Sequence, residues 1–198
     1  MQRFKNRKTA GQKLAEEIQK AGINLEDAVC LALPRGGVPV AYEVSKILDI
    51  PLDVVVSRKV GAPFNPEFAI GAISEDGASY YNETTLSSLG IDPEALEDIE
   101  NKEHQELERR VEVYRKDKPL PKLEGKTILL IDDGLATGAT AKSAIKFLKT
   151  LNPDKLIFAA PVCAYDSSSK IEKEVDQLIC SLRPQALSAI GAYYDDFG

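Results

Sequence analysis

Thr127-Ile128-Leu129-Leu130-Ile131-Asp132-Asp133-Gly134-Leu135-Ala136-Thr137-Gly138-Ala139-Thr140 decides how the rest of the chain is read. The continuous apolar run from Ile128 to Ile131 predicts a parallel strand covered on both faces. Two carboxylates follow, then a Gly/Thr loop that opens a helix with Ala144, Ile145, Leu148 and Leu151 on one side. Gly134 and Gly138 permit close backbone approach or a positive φ. Backbone N–H groups of such a loop, with the helix N-terminus, form an anion site suited to a phosphate. Acids beside a phosphate must face something else, either sugar hydroxyls or a hydrated Mg²⁺. The stretch thus predicts a sugar-phosphate site, with the diol on Asp132 and Asp133. The plainer reading is a capped helix after a strand, with Asp133 as a surface residue. A P-loop fits less well, because no Lys-Ser/Thr pair follows a glycine here.

Working outward, alternating strands and helices flank this centre. Lys8 to Ala21 predicts an amphipathic helix with Leu14, Ala15 and Ile18 inward and Gly22 as C-cap. Ala28 to Leu33 predicts a buried strand, Val38 to Leu48 a helix, and Leu52 to Ser57 the next strand, a parallel strand–helix–strand unit. Arg58 to Pro66 is rich in breakers and predicts a long mobile loop. Phe68 to Ser74 and Ala78 to Asn82 predict a hairpin about Glu75-Asp76-Gly77. Pro93 to Lys118 predicts a charged helix or helix pair, with Leu96, Ile99, Leu107, Val111 and Tyr114 on its one apolar face. Lys155 to Ala160 is a further buried strand ended by Pro161. Asp166 to Glu174 is a short helix, and Gln177 to Ser181 a final strand. The expected architecture is α/β, a doubly wound parallel sheet with sites at the carboxyl ends of its strands.

Composition narrows the function classes. A chain of 198 residues suits one domain, with the core at about 25–60 and 124–181. A loop, hairpin and helical insertion would occupy about 58–120, and a closing segment 182–198. The net charge of −6 disfavours nucleic acid and anionic membranes as partners. No apolar run approaches the roughly 18 residues of a membrane span, and Met1 to Asn6 holds no signal-peptide core. Cys30, Cys163 and Cys180 lie in or beside apolar runs and read as buried free thiols of a cytoplasmic protein.

Two further loops carry charge. Pro34-Arg35-Gly36-Gly37, after the first strand, offers N–H groups and a fixed cation, which is either a second anion cradle or a common glycine turn. Arg58-Lys59 places two cations at the start of the breaker-rich segment, suiting a lid over an anionic leaving group or a solvated basic turn. Tyr193, Tyr194 and Phe197 either anchor the C-terminal segment or stack on a planar base. Glu75 reads as a proton acceptor or as a turn acid in water.

Asp132-Asp133, three residues, then Thr137-Gly138-x-Thr140 resembles the signature by which type I phosphoribosyltransferases bind PRPP, 5-phosphoribosyl 1-diphosphate. Pro34 to Gly37 resembles the diphosphate loop of that family, and Arg58-Lys59-x-Gly-x-Pro the start of the catalytic loop in adenine-using members. The three loops occur in that order between Cys30 and Pro161. The chain as a whole resembles phosphoribosyltransferases whose acceptor is unassigned. The resemblance implies the type I fold, with a small β-hairpin/helical insertion and a C-terminal hood. It also implies transfer of phosphoribosyl from PRPP to a nitrogen heterocycle, with Mg²⁺ held by Asp132 and Asp133 through water. Ala136, Thr137, Gly138, Ala139 and Thr140 would bind the 5′-phosphate; Arg35, Gly36 and Gly37 the diphosphate. Asp132, Asp133, Arg58 and Lys59 would serve catalysis, and Tyr193 and Phe197 the base. By the same resemblance the Pro34–Arg35 bond is expected to be cis, and a homodimer is allowed. Oxopurine-using relatives carry an acid where Ala136 stands, while the segment 93–118 departs from the adenine-using pattern, so the acceptor stays open. A regulatory, PRPP-sensing protein on the same fold is the rival reading; the presence of Arg35 and Lys59 favours the enzyme.

Overall fold

The run Thr127–Ile131 forms β6, and each of its residues is buried. In the computed structural model, which describes residues 2–81, 83–91, 93–116 and 118–198, β6 is the middle of a five-stranded parallel sheet. Asn82 and Asp117, inside two expected elements, lie outside the described residues. The other strands are β1 (Ala28–Ala32), β2 (Leu52–Val54), β7 (Lys155–Val162) and β8 (Gln177–Leu182), in the order β2-β1-β6-β7-β8. In-register pairs such as Cys30↔Leu129 and Leu129↔Ile157 tie the centre together.

Both faces of this sheet are covered, as a parallel sheet requires. One face presents Cys30, Ala32, Leu129, Ile131, Ile157 and Ala159 to α1 (Arg7–Lys20) and α2 (Gly37–Leu48), which contribute Leu14, Ala15, Ile18, Val40, Ala41 and Val44. The alternate residues Val29, Leu31, Ile128, Leu130 and Phe158 are equally buried. Helix α1 begins at Arg7 because Asn6 and Thr9 form a reciprocal capping box, Asn6 Oδ1 accepting from Thr9 N at 3.0 Å. β7 does not stop at Pro161: its ladder to β8 steps from Ala160↔Cys180 to Val162↔Leu182. Cys30 and Cys163 are buried free thiols, as the sequence suggested, whereas the free thiol Cys180 is only half-buried.

The chain divides into two compact units. The first holds the sheet and comprises residues up to Val55, Leu120–Gly138 and Leu148–Gly198; the second comprises Val56–Pro119 and Ala139–Phe147. Helix α5 (Ala139–Thr150), assigned to the second unit as far as Phe147, buries Ala141, Ala144, Ile145, Phe147 and Leu148. Helix α6 (Tyr165–Ile171) and a 3₁₀ turn at Ile190–Tyr193 complete the first unit.

The second unit corrects the sequence reading. Arg58 to Pro66 is not a long loop. It supplies β3 (Ser57–Ala62), which pairs antiparallel with β4 (Asn65–Ser74) through rows such as Lys59↔Ala72. The breakers serve a bulge: register shifts on both sides of Gly61, where a Cβ would lie 2.2 Å from the Pro66 carbonyl oxygen. The expected strand Leu52 to Ser57 is likewise cut after Val54. Val55 still donates to Ala32 O at 3.1 Å, but Val56 N turns to the Glu75 carboxylate, also at 3.1 Å. The Glu75-Asp76-Gly77 hairpin is present, with Gly77 at φ +81° and β5 (Ser79–Tyr81) returning along β4. The segment after it holds α3 (Glu83–Leu89), which no sequence signal singled out, and one helix, α4 (Pro93–Arg115). Leu96, Ile99, Leu107, Val111 and Tyr114 of α4 pack with Val60, Ile70 and Ile73, the face expected.

Candidate active site

Strand order reverses chain order between β1 and β6, so the β1–α2 and β6–α5 loops emerge side by side at the carboxyl edge, where open α/β sheets bind ligands. Leu33 N donates to Ile131 O at 2.9 Å, holding the two strand ends together. The Pro34–Arg35 bond is cis, as the resemblance implied. Gly36 and Gly37 then start α2 without a side-chain cap, and Arg35 is exposed.

The two glycines are required by contact with the acids. A Cβ on Gly36 would fall 2.0 Å from Asp133 Oδ2, and one on Gly37 would fall 2.6 Å from Ile131 O and 2.9 Å from Asp132 Cα. The Pro34–Gly37 loop therefore lies directly against the acid pair. Gly37→Ala meets backbone, which cannot yield as a side chain tip can. We expect it to cost about 2 kcal/mol, seen as a lowered melting temperature, and to disturb the loop that holds the acids.

Asp132 Oδ1 accepts from Asp133 N at 2.8 Å. Burial, followed by the neighbouring charge of Asp133, pushes the Asp132 carboxyl well above the usual carboxylate range. Asp133 is held by Arg7, whose Nε donates to Oδ2 at 2.9 Å and whose Nη2 lies 2.7 Å from the same oxygen. The Asp133 carbonyl accepts from the Tyr194 hydroxyl at 2.6 Å. Burial and then the Asp133 charge push the Tyr194 phenol upward. As a donor set, two adjacent carboxylates fit a Mg²⁺ that keeps water and substrate oxygens in its shell. A closed protein cage does not fit: among the described residues no group of three or more His, Cys, Asp or Glu gathers for a metal. A cation at the pair would oppose the burial effect on Asp132 by favouring its charged form.

Beyond the acids, Gly134 packs under Ile190, where a Cβ would come 2.5 Å from that side chain. Ala136 and Thr137 are exposed, and Gly138, at φ +78°, is the N-cap of α5 without a side-chain cap bond. Ala139 and Thr140 form the first turn of α5 and belong to the second unit. Arg58 and Lys59 also belong to it, on β3. Arg58 is paired with Glu103, Nε to Oε2 at 2.7 Å. Glu75 is neither a free proton acceptor nor a turn acid in water. It forms an ion pair with Arg115, with side chains 8% and 6% exposed.

In the tail, Tyr193 and Tyr194 are 7% and 2% exposed, in a cluster with Phe4, Ala10 and Val162 that anchors the segment. Phe197 is more open and carries the Arg7 guanidinium 3.9 Å from its ring centroid. Sequence reasoning missed Arg7, and it named Tyr194 as an anchor or a stacking ring without its bond to Asp133. The signal for Arg7 was faint: a cation in the first turn of a helix, with no acid there, opposes the helix dipole and so has a partner elsewhere.

A family model described as phosphoribosyl transferase domain matches residues 2–195. A curated Mycobacterium tuberculosis relative, provisionally described as a phosphoribosyl transferase, is 40% identical over 197 residues, covering 100% of this chain and 44% of that protein. The chain thus spans under half the length of the curated relatives it matches. The crystal structure of TT1426 from Thermus thermophilus is 39% identical, with a TM-score of 0.84, covering 99% of this chain and 92% of that one. A hypoxanthine phosphoribosyltransferase from Staphylococcus aureus, 14% identical with a TM-score of 0.51, shares the fold over 88% of this chain and 73% of that one.

Proposed function

The chain belongs to the phosphoribosyl transferase domain family, and from that premise we propose that it moves a 5-phosphoribosyl group from PRPP to a nitrogen of a nucleobase or related heterocycle, releasing diphosphate. One observation carries this reading: Gly36 lies against Asp133, so a backbone cradle for a diphosphate touches the acids suited to the adjoining sugar diol. Thr137, Gly138, Ala139 and Thr140, with Ala136 beside them, would hold the 5′-phosphate on the N–H groups that open α5. Arg35, Gly36 and Gly37 would meet the diphosphate.

Carbon 1 of the ribose develops positive charge as the diphosphate departs, and no protein nucleophile is required. The work of the residues is to position the two reactants, to stabilise the leaving anion and to exclude water. Asp132 and Asp133 would orient the ribose hydroxyls and hold the metal through water. Mg²⁺, when bound, supplies Lewis-acid polarisation of diphosphate oxygens and a template for ribose and diphosphate. Ala136 brings no acid to the acceptor, so proton removal falls to another group or to solvent. Phe197, the open aromatic of the tail, is the candidate to face a planar base.

Lys59 is assigned to the leaving group. Lys59→Ala should lower kcat about tenfold with a smaller change in PRPP affinity, because a cation acting on developing charge matters most in the transition state. Steady-state kinetics set beside calorimetry reads this, and a loss confined to affinity removes the role. The sensing alternative is favoured by one observation, the Arg58–Glu103 pair, which engages a cation otherwise assigned to diphosphate. Mass spectrometry decides between them. The protein is incubated with PRPP, Mg²⁺ and a panel of purines, pyrimidines and other nitrogen heterocycles. A nucleotide product with one base establishes transfer and names the acceptor, whereas PRPP binding without any product favours sensing.

A further inference from the structure

Asp133 is gripped from two directions within the first unit. Its Oδ2 takes both contacts from Arg7, at 2.9 Å and 2.7 Å, and its carbonyl takes the Tyr194 hydroxyl at 2.6 Å. Arg7 is itself held. Its Nη1 donates to Phe197 O at 2.9 Å and to Gly198 O at 3.1 Å, and its guanidinium stacks 3.9 Å from the Phe197 ring. Around it the two ends of the chain are laced together: Phe4 N to Tyr193 O at 2.8 Å, Asp195 N to Phe4 O at 2.8 Å, and Asp196 N to Lys5 O at 3.0 Å. Arg7 is 16% and Asp133 14% exposed at the side chain, so the pair is largely out of water.

This arrangement answers a problem that the site poses. Two neighbouring carboxylates repel, and an aspartate in a loop can rotate about two side-chain torsions toward solvent. Arginine's planar fork can fix a carboxylate oxygen with two donors, which a lysine cannot. Both donors here fall on Oδ2, leaving Oδ1 for another partner. We propose that Arg7 is a positioning residue: it fixes the Asp133 carboxylate by Oδ2 so that Oδ1 faces the ribose hydroxyl or hydrated cation, and it makes the 193–198 segment part of the site's support. Arg7 touches no substrate in this scheme and acts through Asp133. The inference rests on the PRPP reading above.

The test is a double-mutant cycle read by PRPP affinity with Mg²⁺, using calorimetry and, for weak variants, thermal stabilisation at millimolar PRPP. Wild type, Arg7→Met, Asp133→Asn and the double variant are compared. Arg7→Met is expected to weaken PRPP binding about tenfold when Asp133 is present, the scale of a lost charged hydrogen bond, and to add little in the Asp133→Asn background, where a carboxamide replaces the carboxylate. Unliganded melting curves show whether Arg7→Met folds; where it does not, Arg7→Lys takes its place with a smaller loss expected. Wild-type affinity in the Arg7 variant overturns the inference, as does an equal loss with and without the Asp133 carboxylate, which would mean that Arg7 meets the ligand itself. If wild type binds no PRPP, it is the phosphoribosyl reading that fails, a result distinct from either.

Discussion

Asp133→Asn is expected to lower phosphoribosyl transfer on the order of 100-fold while the protein stays folded, the scale found when one preorganised polar partner is removed from an active site. The carboxylate is assigned to the ribose diol and the hydrated metal, and an amide offers neither the charge nor a second acceptor oxygen. Its fold role is smaller. Its partner Arg7 keeps the Phe197 and Gly198 carbonyls as acceptors, so the stability lost should be about 1 kcal/mol. The carbonyl bond from Tyr194 survives, because it uses the main chain. Product formation and a melting curve on the same sample separate the two effects. Unchanged turnover removes Asp133 from the mechanism; a collapsed melting transition makes it a folding residue instead.

Arg115→Met should give the largest stability loss of the substitutions considered, about 3 kcal/mol or a melting temperature lower by about 10 °C. Glu75 and Arg115 are 8% and 6% exposed at the side chain, and the Glu75 carboxylate also accepts Val56 N at 3.1 Å. Removing the cation leaves a negative charge buried without its counter-ion, and the desolvation cost remains in full. The double variant Glu75→Gln, Arg115→Met removes both charges and should recover much of the loss. Thermal or denaturant unfolding of the three proteins reads this. A double variant no better than Arg115→Met alone shows that the pair's charges are not what matters there. The pair joins the β4–β5 turn to the end of α4, so its loss falls on the second unit.

Much of the first unit was legible in the sequence because its signals are local and strong. Ile128 to Ile131 could only be a strand buried on both faces, and the structure places all four at 0% exposure. The second unit was less legible, although the one-sided apolar pattern of α4 within it predicted its packing face residue by residue. Gly61, Pro63 and Pro66 are breakers in any local scale, yet they serve a tight turn and a bulge in a paired β-arm, because pairing with β4 is a long-range fact that propensity does not contain. Glu75 was misread for the same reason: its partner lies 40 positions along the chain at Arg115, and a hairpin acid looks solvated until a helix end is laid against it.

By itself, the sequence determined the parallel sheet, the order of its two glycine-bearing polar loops and the pairing of two acids with a phosphate-type loop. These follow from side-chain periodicity and from residue types whose chemistry is local. Only the tertiary structure decided that Gly36 and Gly37 press against those acids, that Arg7 and Tyr194 hold Asp133, and that the aromatic tail closes on the N-terminal helix. Those contacts join residues far apart in the chain, 126 positions for Arg7 and Asp133 and 61 for Tyr194 and Asp133. The glycine contacts exist because the strand order reverses between β1 and β6, bringing distant loops to one edge.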